Sequence, residues 1–177
     1  MSDILVKIHR AAPYGMITLR GDLSSTALQK AATDAAGVAF PETGMCVFEG
    51  KSGLSWMSPD ELLVLMPHDQ IQSTLAQIEK ALNSTHFLAA DVSDARAMFT
   101  ITGPHWRDVL AKLTPADVHP DSFQQGHFRR TRLAQVPVAF WQSSADTVTL
   151  ICFRSVADYV EGLLVNAGRA KSNADYF

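Results

Sequence analysis

Long apolar runs, basic clusters and cysteine pairs are scarce in this sequence of 177 residues. No apolar stretch approaches the roughly 20 residues that cross a bilayer, and the first ten residues lack the apolar centre of a signal peptide. The net charge is −3, and no Lys/Arg-rich run offers a surface for nucleic acid. These absences predict a cytoplasmic protein that binds neither a membrane nor nucleic acid.

Cysteine is limited to Cys46 and Cys152, and both lie in apolar runs that resemble strands. This placement favours two buried thiols over a disulfide or a redox pair. Charged residues make up only 19% of the chain and hydrophobic residues 47%. Such a composition predicts a globular protein with a substantial core.

A strand–turn–helix pattern near the middle of the chain organises the rest. Met98 to Thr102 is rich in β-branched and aromatic residues and predicts a strand, which Gly103-Pro104 ends. A helix follows, with an apolar stripe at Trp106, Val109, Leu110 and Leu113. A weaker version occurs nearly half a chain earlier, as a strand and turn over 15–21 and a helix over 24–36. The sequence therefore predicts an internal duplication.

Each half continues with three strands and a second helix. The first half has strand patterns at 45–49, 54–57 and 61–66 and a helix stripe of Ile71, Leu75, Ile78 and Leu82. The second half has strand patterns at 129–133, 136–141 and 147–153 and a helix stripe of Val156, Tyr159, Val160, Leu163 and Leu164. The predicted fold is α+β, with two pseudo-repeats of strand, helix, three antiparallel strands and helix.

The predicted organisation is a single duplicated domain over 1–167, with one half at about 1–90 and the other at about 91–167. A C-terminal tail, 168–177, follows it. The default expectation for this polar tail is disorder. Tyr176 and Phe177 at its end offer an alternative, because aromatic residues are enriched where proteins meet.

Motifs that carry chemistry are missing. The sequence has no GxGxxG, GxSxG, HExxH or paired CxxC pattern, so it predicts no catalytic set and no metal site. Gly50-Lys51-Ser52 resembles the end of a phosphate-binding loop, but strand patterns on both sides favour a hairpin turn. Asp117, His119 and Asp121, with His127 nearby, could gather metal ligands, although solvated turn residues are the favoured interpretation.

Three arginines, Arg129, Arg130 and Arg132, form the strongest candidate for binding an anion or a folate-like carboxylate. Alternation along a strand places Arg130 and Arg132 on one face. An ordinary solvent-facing strand surface is the competing interpretation. Trp56, Trp106 and Trp141 are flanked by apolar residues, which favours core or subunit-interface packing. Trp56, Tyr176 and Phe177 are the candidates for a partner interface.

Several ordered blocks resemble one family. They are WMSPDELLVLMP at 56–67, DVSDARAMFTITGP at 91–104, DVHPDSF at 117–123, RTRLAQVPVAFW at 130–141 and FRSVADYVEGLL at 153–164. Together with the strand and helix at 15–36, they resemble the gamma subunit of heterotetrameric sarcosine oxidase. The resemblance covers nearly the whole chain.

The resemblance implies the folate-binding-domain fold of the aminomethyltransferase superfamily, which includes the glycine-cleavage T-protein. It implies a structural, assembly role in a complex that oxidatively demethylates sarcosine to glycine and forms hydrogen peroxide and methylenetetrahydrofolate. The implied partners are the alpha, beta and delta subunits, chiefly alpha. FAD, FMN, NAD and tetrahydrofolate are expected on other subunits, and no cofactor on this chain. The alternative is a stand-alone protein that binds folate or a one-carbon unit.

Overall fold

A computed structural model describes residues 4–177 of this chain. The apolar periodicity and the turn residues of the sequence correspond in it to short helices and strands. In chain order they are β1 (Lys7–Arg10), β2 (Gly15–Gly21), α1 (Thr26–Ala36), β3 (Cys46–Glu49), β4 (Ser52–Ser58), β5 (Glu61–Met66), α2 (Ile71–Ala81), β6 (Phe87–Asp91), β7 (Arg96–Thr102), α3 (Trp106–Ala111), β8 (Phe128–Leu133), β9 (Val136–Ser144), β10 (Thr147–Phe153) and α4 (Ala157–Ala167). They form two compact units.

The N-terminal unit comprises Pro13–Asp94 and contains an antiparallel sheet in the order β3-β4-β5-β2-β6. Its core joins apolar side chains of β2, β4 and β5 to those of α1 and α2, including Ile17, Leu19, Leu28, Leu54, Leu62, Val64 and Ile78. All six residues of β5 are buried. The apolar run 61–66 is therefore a central strand, as its shortness predicts.

The C-terminal unit combines the described residues up to Ala12 with Ala95–Phe177. Its antiparallel sheet has the order β1-β7-β10-β9-β8, and α3 and α4 contribute to the same core as β7, β9 and β10. Phe123, from the loop before β8, lies edge-on to Trp106 at 6.1 Å and to Phe140 at 5.3 Å between ring centroids. This aromatic group anchors the long α3–β8 loop to the sheet.

The two sheets share one strand order, and the predicted α+β fold of two pseudo-repeats is confirmed. Each sheet also has a fifth strand that the sequence analysis missed. β1 precedes β2 in the chain but pairs with β7, while β6 precedes β7 but pairs with β2. β1 thus completes the sheet of the second repeat, and β6 completes the sheet of the first. Residues up to Ala12 consequently lie with the second half of the sequence, although the expected halves assign them to the first.

Two local expectations differ from the structure. In α4, Val160 and Leu164 are fully buried, but Tyr159 is 48% exposed, so it lies outside the apolar stripe. The residues after Gly168, expected to be disordered, form a 3-10 turn over Ala170–Ser172 and hydrogen-bond to Asp108 of α3 and to Lys112, which directly follows this helix. The periodicity of apolar residues predicts neither the exposure of Tyr159 nor the anchoring of the tail, because it carries no information about which surfaces other segments cover.

Candidate interaction surfaces

An apolar groove surrounds Trp56 in the N-terminal unit. We call it the Trp56 groove: a cleft of about 860 Å³ lined by Leu23, Ser24, Phe40, Pro41, Glu42, Thr43, Trp56 and Pro59. The half-buried Trp56 side chain packs against the core of its unit, and its backbone N–H donates to the Met45 carbonyl at 3.0 Å. The pairing of β4 with β5 shifts register between Trp56 and Ser58, where β4 ends. Packing against the core therefore fixes the position of the indole, which forms one side of the groove.

Carboxylates flank this apolar lining. Glu42 lines the groove directly and is exposed. Asp22 accepts hydrogen bonds from the Ser24 hydroxyl at 2.6 Å and the Ser24 N–H at 2.9 Å, and these bonds lower the pKa of Asp22. Asp60, next to Pro59, accepts from the Ser58 hydroxyl and pairs with Arg20, and both interactions lower its pKa. The surroundings of the groove are therefore negatively charged at neutral pH.

The C-terminal tail is held by Asp108 of α3 and by Lys112, which directly follows the helix. Lys112 Nζ donates to the Ala167 carbonyl at 2.6 Å, the Ser172 carbonyl at 2.7 Å and the Ser172 hydroxyl at 3.0 Å. Partial burial lowers the pKa of Lys112. The buried Asp108 accepts the Tyr176 N–H at 2.7 Å, and its other oxygen lies 3.5 Å from His105 Nδ1.

This attachment places the two terminal aromatic residues at the surface. The Phe177 ring lies edge-on to His119 at 5.7 Å and to Tyr176 at 6.4 Å. Tyr176 is 63% exposed and Phe177 48%. The tail thus presents an aromatic pair in a defined position. The sequence analysis did not single out Asp108 and Lys112. The feature that could have indicated them is that they are charged residues beside the apolar stripe of α3.

The three candidate arginines do not converge. In the β8–β9 register, Arg129 lies opposite Phe140, whereas Arg130 and Arg132 lie opposite Ala139 and Pro137 and so on the other face. Arg129 donates to the carbonyls of Ser122 at 2.9 Å and Phe128 at 3.1 Å, and its guanidinium lies 5.3 Å from the Phe123 ring centroid. An anion-binding role for Arg129, Arg130 and Arg132 stays a prediction.

The polar loop before β8 is organised by hydrogen bonds within itself. The His119 N–H donates to Asp117 Oδ1 at 2.8 Å, and the Asp121 N–H donates to His119 Nδ1 at 3.2 Å. Across residues 4–177, no three His, Cys, Asp or Glu side chains are grouped as metal ligands would be. These contacts match the solvated turns favoured from the sequence. Gly50 has φ +58°, and the Gly50-Lys51 turn joins β3 to β4 in a hairpin.

None of the helices between residues 4 and 177 has the length and apolar character needed to span a membrane.

Comparison with solved structures first defines the class of fold. The glycine cleavage system aminomethyltransferase T from Bartonella henselae superposes with a TM-score of 0.67 at 14% identity, over 91% of this chain and 45% of the other. The two antiparallel sheets with their helices are therefore the folate-binding-domain fold of the aminomethyltransferases.

Sequence comparison then gives the family. The sarcosine oxidase, gamma subunit family matches residues 20–170, and the chain belongs to this family. The sarcosine oxidase subunit gamma of Corynebacterium sp. (strain P-1) is 27% identical over 139 residues, which cover 77% of this chain and 68% of the relative. A chain of the heterotetrameric sarcosine oxidase from Corynebacterium sp. U-96, solved in complex with pyrrole 2-carboxylate, has a TM-score of 0.87 at 25% identity. That similarity covers all of this chain and 90% of the other.

Proposed function

We propose that this chain is the gamma subunit of a heterotetrameric sarcosine oxidase and serves assembly rather than catalysis. The observation that carries the proposal is the structural similarity over the whole chain, with a TM-score of 0.87, to a chain of such an oxidase. Family membership over residues 20–170 supports it independently. The complex would oxidatively demethylate sarcosine to glycine in the cytoplasm, with formation of hydrogen peroxide and methylenetetrahydrofolate.

The finer assignments follow from the same proposal. The partners would be the alpha, beta and delta subunits, with alpha making the main contact. FAD, FMN, NAD and tetrahydrofolate would be held by those subunits. Arg107, Asp108 and Lys112 of the C-terminal unit hydrogen-bond to main-chain groups of the α3–β8 loop, α4 and the tail, which is a structural use of these side chains. Tyr176 and Phe177, exposed on the anchored tail, are proposed to meet a partner.

Co-expression of the other oxidase subunits with and without this chain tests the role. We expect loss of the heterotetramer on size-exclusion chromatography when the chain is omitted, while flavin absorbance per remaining subunit is kept. An unchanged elution volume and unchanged sarcosine-dependent peroxide formation without the chain would overturn the proposal.

Calorimetric titration of the isolated chain with a reduced folate distinguishes the assembly role from the alternative, a stand-alone protein that binds folate. Under the assembly role we expect no micromolar binding. Micromolar binding that Arg132→Ala weakens would favour a folate-binding protein instead.

A further inference from the structure

We propose that the Trp56 groove docks an extended segment of a partner subunit that carries an apolar side chain next to a lysine or arginine. The inference rests on the proposed function, because it assumes that this chain assembles with other subunits. It adds the surface used in the N-terminal unit and the chemistry of the segment that occupies it.

The shape and lining of the groove suit an apolar anchor. Five of its eight lining residues are apolar: Phe40 and Trp56 are half-buried and Pro59 is exposed, while Leu23 and Pro41 are buried beneath them. The two prolines have fixed φ angles, and Trp56 is held by the core beneath it, so little conformational entropy is lost on binding. Tryptophan is also among the residues that most often dominate binding energy at interfaces.

The negative charge around the groove favours a lysine or arginine in the segment that docks there. Glu42 in the lining and Asp22 beside Leu23 carry negative charge, and only Asp60 has a cationic partner, Arg20, among the ion pairs described for these three carboxylates. A partner segment with its own carboxylates would be repelled, whereas a lysine or arginine would be attracted and oriented. A basic residue beside an apolar anchor therefore fits both properties of the groove.

A peptide segment suits this surface better than a small molecule. Sites for small ligands enclose most of the ligand and aim a few polar groups inward to orient it. In the part of the chain that the structure describes, the buried side-chain polar atoms without a hydrogen-bond partner are Ser55 Oγ and Asn173 Oδ1, and neither residue lines the groove. The lining thus offers contact area and charge without a buried polar group to orient a small ligand.

Two substitutions in the full chain test the groove. Trp56→Ala removes the apolar wall, and Glu42→Lys reverses the charge of an exposed lining residue with little effect on folding. Each variant is co-expressed with the other oxidase subunits, one of which carries an affinity tag, and the amount of this chain retained is measured. We expect each substitution to weaken retention about tenfold or more. The Glu42→Lys effect should shrink as the salt concentration rises.

Matched controls separate the groove from general effects. Trp56→Phe keeps an aromatic wall, and Glu79→Lys makes the same charge change on the exposed face of α2; both should be retained like the wild type. Thermal unfolding of each isolated variant reports folding. If Trp56→Ala does not fold, Glu42→Lys decides alone.

The outcomes for the groove and for the proposed function are distinct. If the wild type is retained and Glu42→Lys and Trp56→Ala are retained equally well, the groove is not the docking site, while the proposed function stands. If the wild type itself is not retained, the proposed function fails and the inference fails with it.

Discussion

At the scale of single residues, Arg107 links three parts of the C-terminal unit. Its Nη1 donates to the carbonyls of Val118 at 2.6 Å and Phe123 at 2.9 Å, and its Nη2 donates to Gln142 Oε1 at 3.1 Å. The guanidinium also lies 4.2 Å from the ring centroid of Trp106. One planar cation therefore ties the α3–β8 loop to β9, a geometry that lysine cannot reproduce.

Replacing Arg107 should be costly to stability. We expect Arg107→Met to lower the free energy of unfolding by about 2–4 kcal/mol, because three hydrogen bonds are lost and buried carbonyls are left without donors. Chemical denaturation measures this change. Arg132→Met, which alters an exposed residue of β8, should stay within about 0.5 kcal/mol of the wild type. Equal losses in both variants would show that Arg107 has no special role.

The two thiols make stability depend on alkaline pH. Burial raises the pKa of Cys46 from 9.0 to about 12 and that of Cys152 from 9.0 to about 11. The folded protein therefore keeps both protons above pH 9, where the unfolded chain loses them. Since the unfolded state then binds fewer protons, stability falls as pH rises above 9 towards 11–12 and is unaffected at neutral pH.

Two measurements check this behaviour. A thiol reagent at about pH 8 should react with neither cysteine in the folded protein and with both after denaturation, because reaction needs an accessible thiolate. In the double variant Cys46→Ala and Cys152→Ala, the alkaline fall in the unfolding midpoint should become shallower. Rapid labelling of the native protein would contradict the burial of the thiols.

At the scale of elements, the exchanged outer strands are the feature with the clearest mechanical consequence. The Ala11 N–H donates to the Met98 carbonyl, so alternation along the antiparallel ladder makes His9 and Thr100 a hydrogen-bonded pair. The Val92 N–H donates to the Met16 carbonyl, which likewise makes Ala90 and Thr18 such a pair. Main-chain hydrogen bonds therefore hold β1 to the second repeat and β6 to the first.

Proline substitution in the outer strands should destabilise opposite units. We expect His9→Pro to lower the protection of amides in 95–177, and Ala90→Pro to lower that of amides in 13–94, each by about 2–4 kcal/mol, because proline removes a ladder donor and leaves a carbonyl unpaired. Hydrogen exchange with mass spectrometry locates the effect. His9→Ala and Ala90→Ser keep the N–H groups and should be much milder. Loss of protection in 13–94 from His9→Pro would refute the exchange of strands.

At the scale of the whole molecule, the chain keeps two aromatic residues at the surface of an anchored tail. Tyr176 and Phe177 are exposed although the tail that carries them is hydrogen-bonded to Lys112 and Asp108. Ordering the tail in advance lowers the entropy that a partner must remove on binding. The tail is therefore suited to present its aromatic pair to another subunit.

Substituting the aromatic pair should affect assembly and spare folding. The double variant Tyr176→Ser and Phe177→Ser keeps the Tyr176 backbone donor to Asp108, so we expect its thermal midpoint to match that of the wild type. Its retention by the tagged oxidase subunits should fall by about tenfold, since buried aromatics often dominate binding. Tyr159→Ser, at an exposed aromatic of α4, is the matched control and should assemble normally. Normal assembly of the double variant would remove the tail from the interface.

Sequence patterns predicted the repeated elements well, because central strands and packed helices carry their own signal. The strand at 61–66, the three strands before α4 and most of the apolar stripe of α3 follow from local periodicity and turn residues, although Leu113 of that stripe lies beyond the end of α3 at Ala111. The candidate surfaces were predicted only in part. Trp56 could be singled out as a candidate for a partner interface, but its neighbours Phe40 and Pro41 in the groove could not, since they reach it through the loop between α1 and β3.

By itself, then, the amino-acid order determined the family resemblance, the duplicated α+β plan and the absence of catalytic motifs, all of which depend on residues close together in the chain. Only the tertiary structure decided which repeat β1 and β6 join, on which face of β8 each arginine lies and how the tail returns to α3. Those features depend on backbone hydrogen bonds and side-chain contacts between residues distant in sequence, and local periodicity carries no information about such pairings.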